Sequence, residues 1–302
     1  MNRRRFLATS LAVPATALAA NAGPADNSDL LTFGLISDAQ YADADPEGER
    51  HYRTTPEKLK AAVADLASRK LPFTLHLGDF IDRNFASFGT LLPLLEPLGH
   101  PVHHLLGNHD YTLPDAEKAR VVQTLDMPHD YYTFRSGRVR FLMVDTNAAS
   151  LYKYPVATTE GQAGKAAYEK AKAAHDPGAA IWNGGVDDAQ LGWMERELEA
   201  ATAAGEIVLV CGHHPILPAD GNQVWNPKPL LDLLVKHSCV KVWLNGHNHA
   251  GAYAVHEGIH FITFRSILHE PGVNAWSIVS VRPDRLVIEG KGREVSRDLA
   301  FR

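Results

Sequence analysis

The sequence is poor in cysteine, lacks a basic stripe and has no apolar run long enough to cross a bilayer, and each absence removes a class of protein. Two cysteines, Cys211 and Cys239, in 302 residues cannot build a disulfide framework. Both lie in or beside apolar runs, so buried thiols are expected, with a bond between them the alternative in an exported protein. A formal charge of -5, with both signs interspersed, leaves no electrostatic footprint for nucleic acid or an anionic membrane. Internal repeats and low-complexity tracts are missing too, which sets aside solenoids and disordered linkers. What remains is ordinary globular composition, 45% hydrophobic and 22% charged, enough for one large α/β domain over residues 26–302.

The first 25 residues stand apart. Arg3, Arg4 and Arg5 precede an apolar stretch from Phe6 to Ala20, followed by small residues, which is the three-part layout of an export signal. The apolar part is shorter than the roughly 20 residues of a membrane span. The order Arg3-Arg4-x-Phe6-Leu7 resembles a twin-arginine signal, with Ala17-Leu18-Ala19 or Ala20-Asn21-Ala22 as cleavage sites. A periplasmic or extracellular protein, not inserted in a membrane after cleavage, is expected; an uncleaved anchor is the alternative.

Beyond the signal, strand-like runs alternate with helical patterns. Leu31 to Ser37, Phe73 to Leu77 and Val102 to Leu106 are short apolar runs, each followed at once by Gly, Asp, Asn or His. Between the first two, Thr54 or Thr55 caps a helix with Pro56 at its first position. Asp187, with Gln190 three residues on, starts a second helix that ends at Gly205. Ile207 to Cys211 and Val240 to Asn245 read as strands around a helix near Pro229 to His237, and three hairpin-like pairs span 131–145, 252–264 and 276–289. The mixture predicts an α/β fold, a four-layer α/β/β/α sandwich with two mixed sheets. Residues 147–185 declare no strand and read either as a partly helical insertion over a site or as a Pro/Gly-rich surface loop.

Five stretches place metal-capable side chains directly after apolar strands: Asp38 and Gln40 in SDAQ; Asp79 and Asp82 in GDFID; Asn108, His109 and Asp110 in GNHD; His213 and His214 in GHHP; His247 and His249 in NGHNH. Loops after strand C-termini form the binding crevice of an α/β sheet, so residues far apart in sequence can meet there. Singly, each is an ordinary turn or cap. Five in one chain are a constellation. The other histidines, His76, His100, His103, His104, His129, His256, His260 and His269, read as structural, and Trp182, Trp193, Trp243 and Trp276 read as core.

In this order the five stretches resemble the signature of the calcineurin-like metallophosphoesterases, D-x-[H/Q], G-D-x-x-D, G-N-H-[D/E], a His in an H-x-P context, and G-H-x-H. The resemblance implies two divalent ions, Mn2+ first, with Mg2+, Fe or Zn2+ as alternatives. One would be held by Asp38, Gln40, Asp79 and His249, the other by Asp79, Asn108, His213 and His247, with Asp79 bridging. It also implies His109 as a cation or proton donor oriented by Asp82. Arg83 stands as a phosphate grip or, equally, an exposed salt-bridging residue. FGLISDAQYAD, VHHLLGNHD, the NGG at 183–185, GHNHAGAY and IEGKGREVSR are similar to the manganese-dependent ADP-ribose/CDP-alcohol diphosphatase branch. That implies hydrolysis of a phosphoanhydride or phosphodiester in a small nucleotide-type substrate. A broad phosphomonoesterase, a cyclic nucleotide phosphodiesterase and a non-catalytic exported metal-binding protein are the alternatives.

Overall fold

The computed structural model describes residues 28–302, so the twin-arginine-like signal expected over residues 1–25 lies outside the described residues. Among these the strands run β1 (Leu31–Ile36), β2 (Thr74–His76), β3 (Val102–His104), β4 (Tyr132–Ser136), β5 (Val139–Val144), β6 (Ala149–Ser150) and β7 (Gly184–Gly185). They continue as β8 (Ile207–Gly212), β9 (Val240–Asn245), β10 (Ala252–His256), β11 (Ile259–Thr263), β12 (Ala275–Val281), β13 (Arg285–Gly292) and β14 (Arg297–Ala300). The long helices are α1 (Thr55–Ala67), α2 (Thr159–Ala173), α3 (Asp188–Ala204) and α4 (Pro227–Lys236).

One six-stranded sheet has the order β14-β13-β12-β1-β2-β3, the other β10-β11-β9-β8-β5-β4. Both are mixed, as expected. In the first, β1, β2 and β3 are parallel and β12 to β14 join antiparallel; in the second, β5, β8, β9 and β11 are parallel with antiparallel β4 and β10 at the edges. Strand alternation divides the second sheet between two cores. Phe141, Met143, Leu209, Cys211, Val242 and Leu244 meet Phe33, Leu35 and Val279 of the first sheet. Their neighbours Leu142, Val144, Val208, Val210 and Trp243 turn the other way, onto Met194 and Leu198 of α3 and Leu230 and Leu234 of α4. With α1 covering the outer face of the first sheet through Leu59, Val63 and Leu66, the order of layers is α/β/β/α. Between the sheets, Phe141 sits 4.7 Å from Phe134 and 5.4 Å from both Phe33 and Phe73, ring centroid to ring centroid.

The two cysteines belong to different cores, Cys211 between the sheets and Cys239 under the outer helices, and both are free thiols. Asp187 caps α3 by accepting the Gln190 N–H at 2.8 Å, and Gly205 ends it with φ 63°. Gln190 does not complete the reciprocal box. Its amide pairs instead with the backbone N–H and C=O of Asp145, tying α3 to the end of β5.

Residues 147–185 take the helical alternative: they hold α2 between the short β6 and β7. The helix carries almost no apolar period because it docks through small residues, Gly161, Gly164 and Ala171. A Cβ on Gly164 would lie 2.3 Å from the Ser150 carbonyl oxygen, so only glycine allows this approach. The root of the insertion is pinned by Lys153, whose buried ammonium lies 2.5 Å from both Asp130 and Asp145.

Candidate metal centre

The five stretches converge at the C-terminal ends of β1, β2, β3, β8 and β9, so both sheets deliver side chains to one place. Their backbone is unusual. Asp38, Gln40, Asp79, Arg83 and His247 are non-glycine residues with φ of 50°, 43°, 54°, 67° and 70°. Each such conformation costs about 1 kcal/mol or more and persists only where the surroundings enforce it. Here the enforcement comes from a ladder continuing past the strands, in which the Asp38 N–H donates to Gly78 O, Gln40 N–H to Asp79 O, and Asp82 N–H to Tyr41 O.

Asp79, His213 and His247 form a group whose ligand-capable atoms all lie within 4.8 Å of one another. His213 Nε2 is 3.2 Å from Asp79 Oδ2, and its Nδ1–H donates to the Leu77 carbonyl at 2.7 Å, which fixes the tautomer with Nε2 turned inward. His247 Nε2 donates to Asn183 Oδ1 at 2.9 Å and so leaves Nδ1 for the centre. On the other side His249 Nε2 is 3.8 Å from Asp38 Oδ1, the oxygen that also accepts the His247 N–H at 3.0 Å. Gln40 donates its Nε2–H to Asp82 at 3.2 Å, leaving Oε1 buried without a partner.

Four donor atoms in this cluster, Gln40 Oε1, Asp79 Oδ2, Asn108 Oδ1 and His213 Nε2, are buried and have no hydrogen-bond partner. Unpartnered buried polar atoms are rare and costly. Four on residues of the five stretches are the expected consequence of a cation site, and the donor set of carboxylates, amide oxygens and imidazoles suits divalent ions. Backbone crowding agrees, since a Cβ on Gly107 would fall 2.0 Å from Asp79 Oδ1.

Electrostatics follow the same geometry. Burial works to raise Asp79, but His213 and His109 override it and hold the carboxyl far below its ordinary range. Burial pushes Asp38 up, to about 6. Burial opposes the charge on His213, yet Asp79 and Asp38 outweigh it and push the imidazole up to about 9. His109 is likewise raised against burial by Asp79 and Asp82, and its Nδ1 lies 3.1 Å from Asp82 Oδ2. Asp82 also accepts from the Thr112 hydroxyl at 2.7 Å, which holds it in place.

His214 is committed elsewhere. Its N–H donates to Thr146 Oγ1, its Nδ1 pairs with the same hydroxyl at 2.7 Å and its Nε2–H donates to the Trp182 carbonyl at 3.2 Å, while burial pushes it down to about 3. Arg83 reaches Glu47 at 2.5 Å and the Tyr52 hydroxyl at 3.0 Å, the salt-bridging alternative of its two readings. The expectation that Trp182 is core is corrected: its carbonyl is used, but its side chain is 47% exposed at the end of the insertion.

Two further residues matter here. Asn183, fully buried, orients His247 while its own amide donates to Gly178 and Gly221 carbonyls; the NGG stretch was its only trace in the sequence. Asp110 does not face the cluster at all. Its carboxylate accepts the backbone N–H groups of Asp79, Gly107, Phe80 and Ile81 at 2.8 to 3.1 Å, lacing the loops after β2 and β3 together. Asp110→Asn puts an NH2 against two of those donors, so a loss of about 3 kcal/mol is expected in urea unfolding. A drop of about 10- to 100-fold in Mn2+ affinity by calorimetry should accompany it.

A family model for calcineurin-like phosphoesterases matches residues 31–251. The chain belongs to that family. Among curated relatives, the manganese-dependent ADP-ribose/CDP-alcohol diphosphatase of Oryza sativa subsp. japonica is 29% identical, over 90% of this chain and 94% of its own length. The protein of the same name from Homo sapiens is 25% identical over 90% of this chain and 93% of its own. A solved dimetal phosphatase from Danio rerio superposes with a TM-score of 0.82 at 23% identity, covering 91% of this chain and all of the other, which shows the metallo-dependent phosphatase fold.

Proposed function

We propose that this phosphoesterase hydrolyses the phosphoanhydride of a nucleoside-diphosphate-linked substrate of the ADP-ribose or CDP-alcohol type, releasing two monophosphates. The observation that carries the reading is the Asp79, His213 and His247 group, together with the buried, unpartnered Gln40 Oε1 and Asn108 Oδ1 on the loops after β1 and β3. Likeness along nearly the whole chain to proteins named for this reaction supports the substrate class.

In this reading Asp38, Gln40, Asp79 and His249 hold one divalent ion and Asp79, Asn108, His213 and His247 the other. Gln40 supplies an amide oxygen where an imidazole would be softer, which favours Mn2+ or Mg2+ over Zn2+. Such ions, when bound, neutralise phosphoryl charge and make a water acidic enough to attack. The water oxygen joins one phosphorus, the bond from that phosphorus to the bridging oxygen breaks, and the bridging oxygen leaves on the second phosphate. His109, whose charge Asp79 and Asp82 favour against burial, stands beside Asp82 as cation or proton donor to the charge that develops there. Export through the twin-arginine-like leader belongs to the same proposal and rests on the layout of residues 1–25.

Purified protein with Mn2+ should turn over ADP-ribose or CDP-choline at least tenfold faster, in kcat/KM, than p-nitrophenyl phosphate or a cyclic nucleotide. Faster turnover of the monoester would establish the phosphomonoesterase alternative instead. No turnover of any of the four with Mn2+, Mg2+, Fe2+ or Zn2+ would leave a metal-binding protein.

A further inference from the structure

We propose that Arg293 is a positioning residue for one of the two proposed ions: its guanidinium ties together the loops that carry Asp38 and His249, and so decides how tightly that ion, and not the other, is held. The inference rests on the ligand sets given above. Arg293 stands in the turn between β13 and β14, outside the residues 31–251 that the family model matches. Its main chain is fixed there, with the N–H donating to the Asn274 carbonyl at 2.9 Å and the carbonyl accepting from Arg265. From this anchor Nη2 reaches three oxygens: the His249 carbonyl at 2.9 Å, the Ser266 carbonyl at 3.0 Å and the Ser266 hydroxyl at 2.9 Å. The hold is costly to the arginine, whose Nε is buried with no partner, and a buried donor left unpaired calls for a reason.

Those acceptors lead straight to one ligand set. Ser266 opens a segment whose next two N–H groups, of Ile267 and Leu268, donate to the Ser37 and Asp38 carbonyls, each at 3.0 Å, while the Ser266 N–H donates to the His249 carbonyl at 3.4 Å. The segment is a strut between the loop after β1 and the loop after β9, and the guanidinium closes it onto His249. His249 depends on this more than the other imidazoles do. His213 is oriented by the Leu77 carbonyl and His247 by Asn183, but among the described residues no hydrogen bond holds the His249 ring, whose Nε2 lies 3.8 Å from Asp38 Oδ1. The place of that ring therefore follows from its main chain, which Arg293 grips. His247, two residues earlier in the same loop, keeps two ties of its own, its N–H to Asp38 Oδ1 and its Nε2–H to Asn183.

The test reads Mn2+ binding by calorimetry and equilibrium dialysis in the unaltered protein, Arg293→Gln and Arg293→Lys, with urea unfolding alongside. Arg293→Gln should weaken one ion about 10- to 100-fold and the other less than about threefold. Double variants read which ion is lost. Added to His249→Ala, Arg293→Gln should change little further, because both act on the same ion; added to His247→Ala, the losses should combine and leave neither ion tightly held. Arg293→Lys keeps the charge without the planar fork and should fall between, and it decides alone if Arg293→Gln does not fold. Equal weakening of both ions together with a lower urea midpoint would mark a merely structural residue and overturn the role, as would unchanged affinities. Fewer than two Mn2+ on the unaltered protein would overturn the two-ion assignment itself, whereas two ions held equally well with and without Arg293 would overturn Arg293 alone.

Discussion

Asp79→Ala is expected to leave the protein with neither ion and to lower turnover by more than about 10³-fold. Asp79 is the single carboxylate shared by the two proposed ligand sets, and its Oδ2 is buried without a partner 3.2 Å from His213 Nε2. Removing it takes the anion from both sides at once. Metal per chain, measured by mass spectrometry after gel filtration, should drop from two Mn2+ to near none. Asp79→Asn, which keeps the shape without the charge, should retain at most one weakly held ion. Retention of both ions by either variant would refute the bridge.

The second large effect is expected at His109, with the opposite signature in metal content. The contact from residue 109 to Asp79 is made by the backbone N–H, at 2.7 Å to Oδ1, and survives replacement of the side chain. His109→Ala should therefore keep both ions while kcat on CDP-choline falls by about 10²- to 10⁴-fold. Asp82 would remain held by Thr112 and Gln40, which confines the damage to the lost imidazole. Full activity in this variant would remove His109 from the chemistry.

Most of the strands and the α3 boundaries were legible because each had a local signature: a short apolar run bounded by turn residues, an Asp cap, a left-handed Gly stop. The four-layer order was legible too, since apolar runs bounded by hairpins imply mixed sheets. The α2 helix was not resolved from loop, because a helix that docks through glycines shows no apolar stripe. The helical stretch from Ser87 to Leu98 passed unseen behind Pro93 and Pro97, and β14 is only four residues with one buried side chain. At the centre, motif order pointed to the residues that the fold brings together. It was blind to most of what holds them: three of the four N–H groups on Asp110 come from the loop after β2, about thirty residues away, and the Asn183 side chain comes from the insertion.

The left-handed backbone at Asp38, Gln40, Asp79 and His247 sets stability against activity in a way that selection can expose. Glycine or asparagine fits those dihedral angles better than the residues present, so such replacements should raise thermal resistance while removing donors the chemistry needs. A library screened for heat tolerance alone would drift toward an inert protein of the same shape. At Arg83, strained alike, the same exchange would cost the contacts with Glu47 and the Tyr52 hydroxyl rather than a metal-capable side chain.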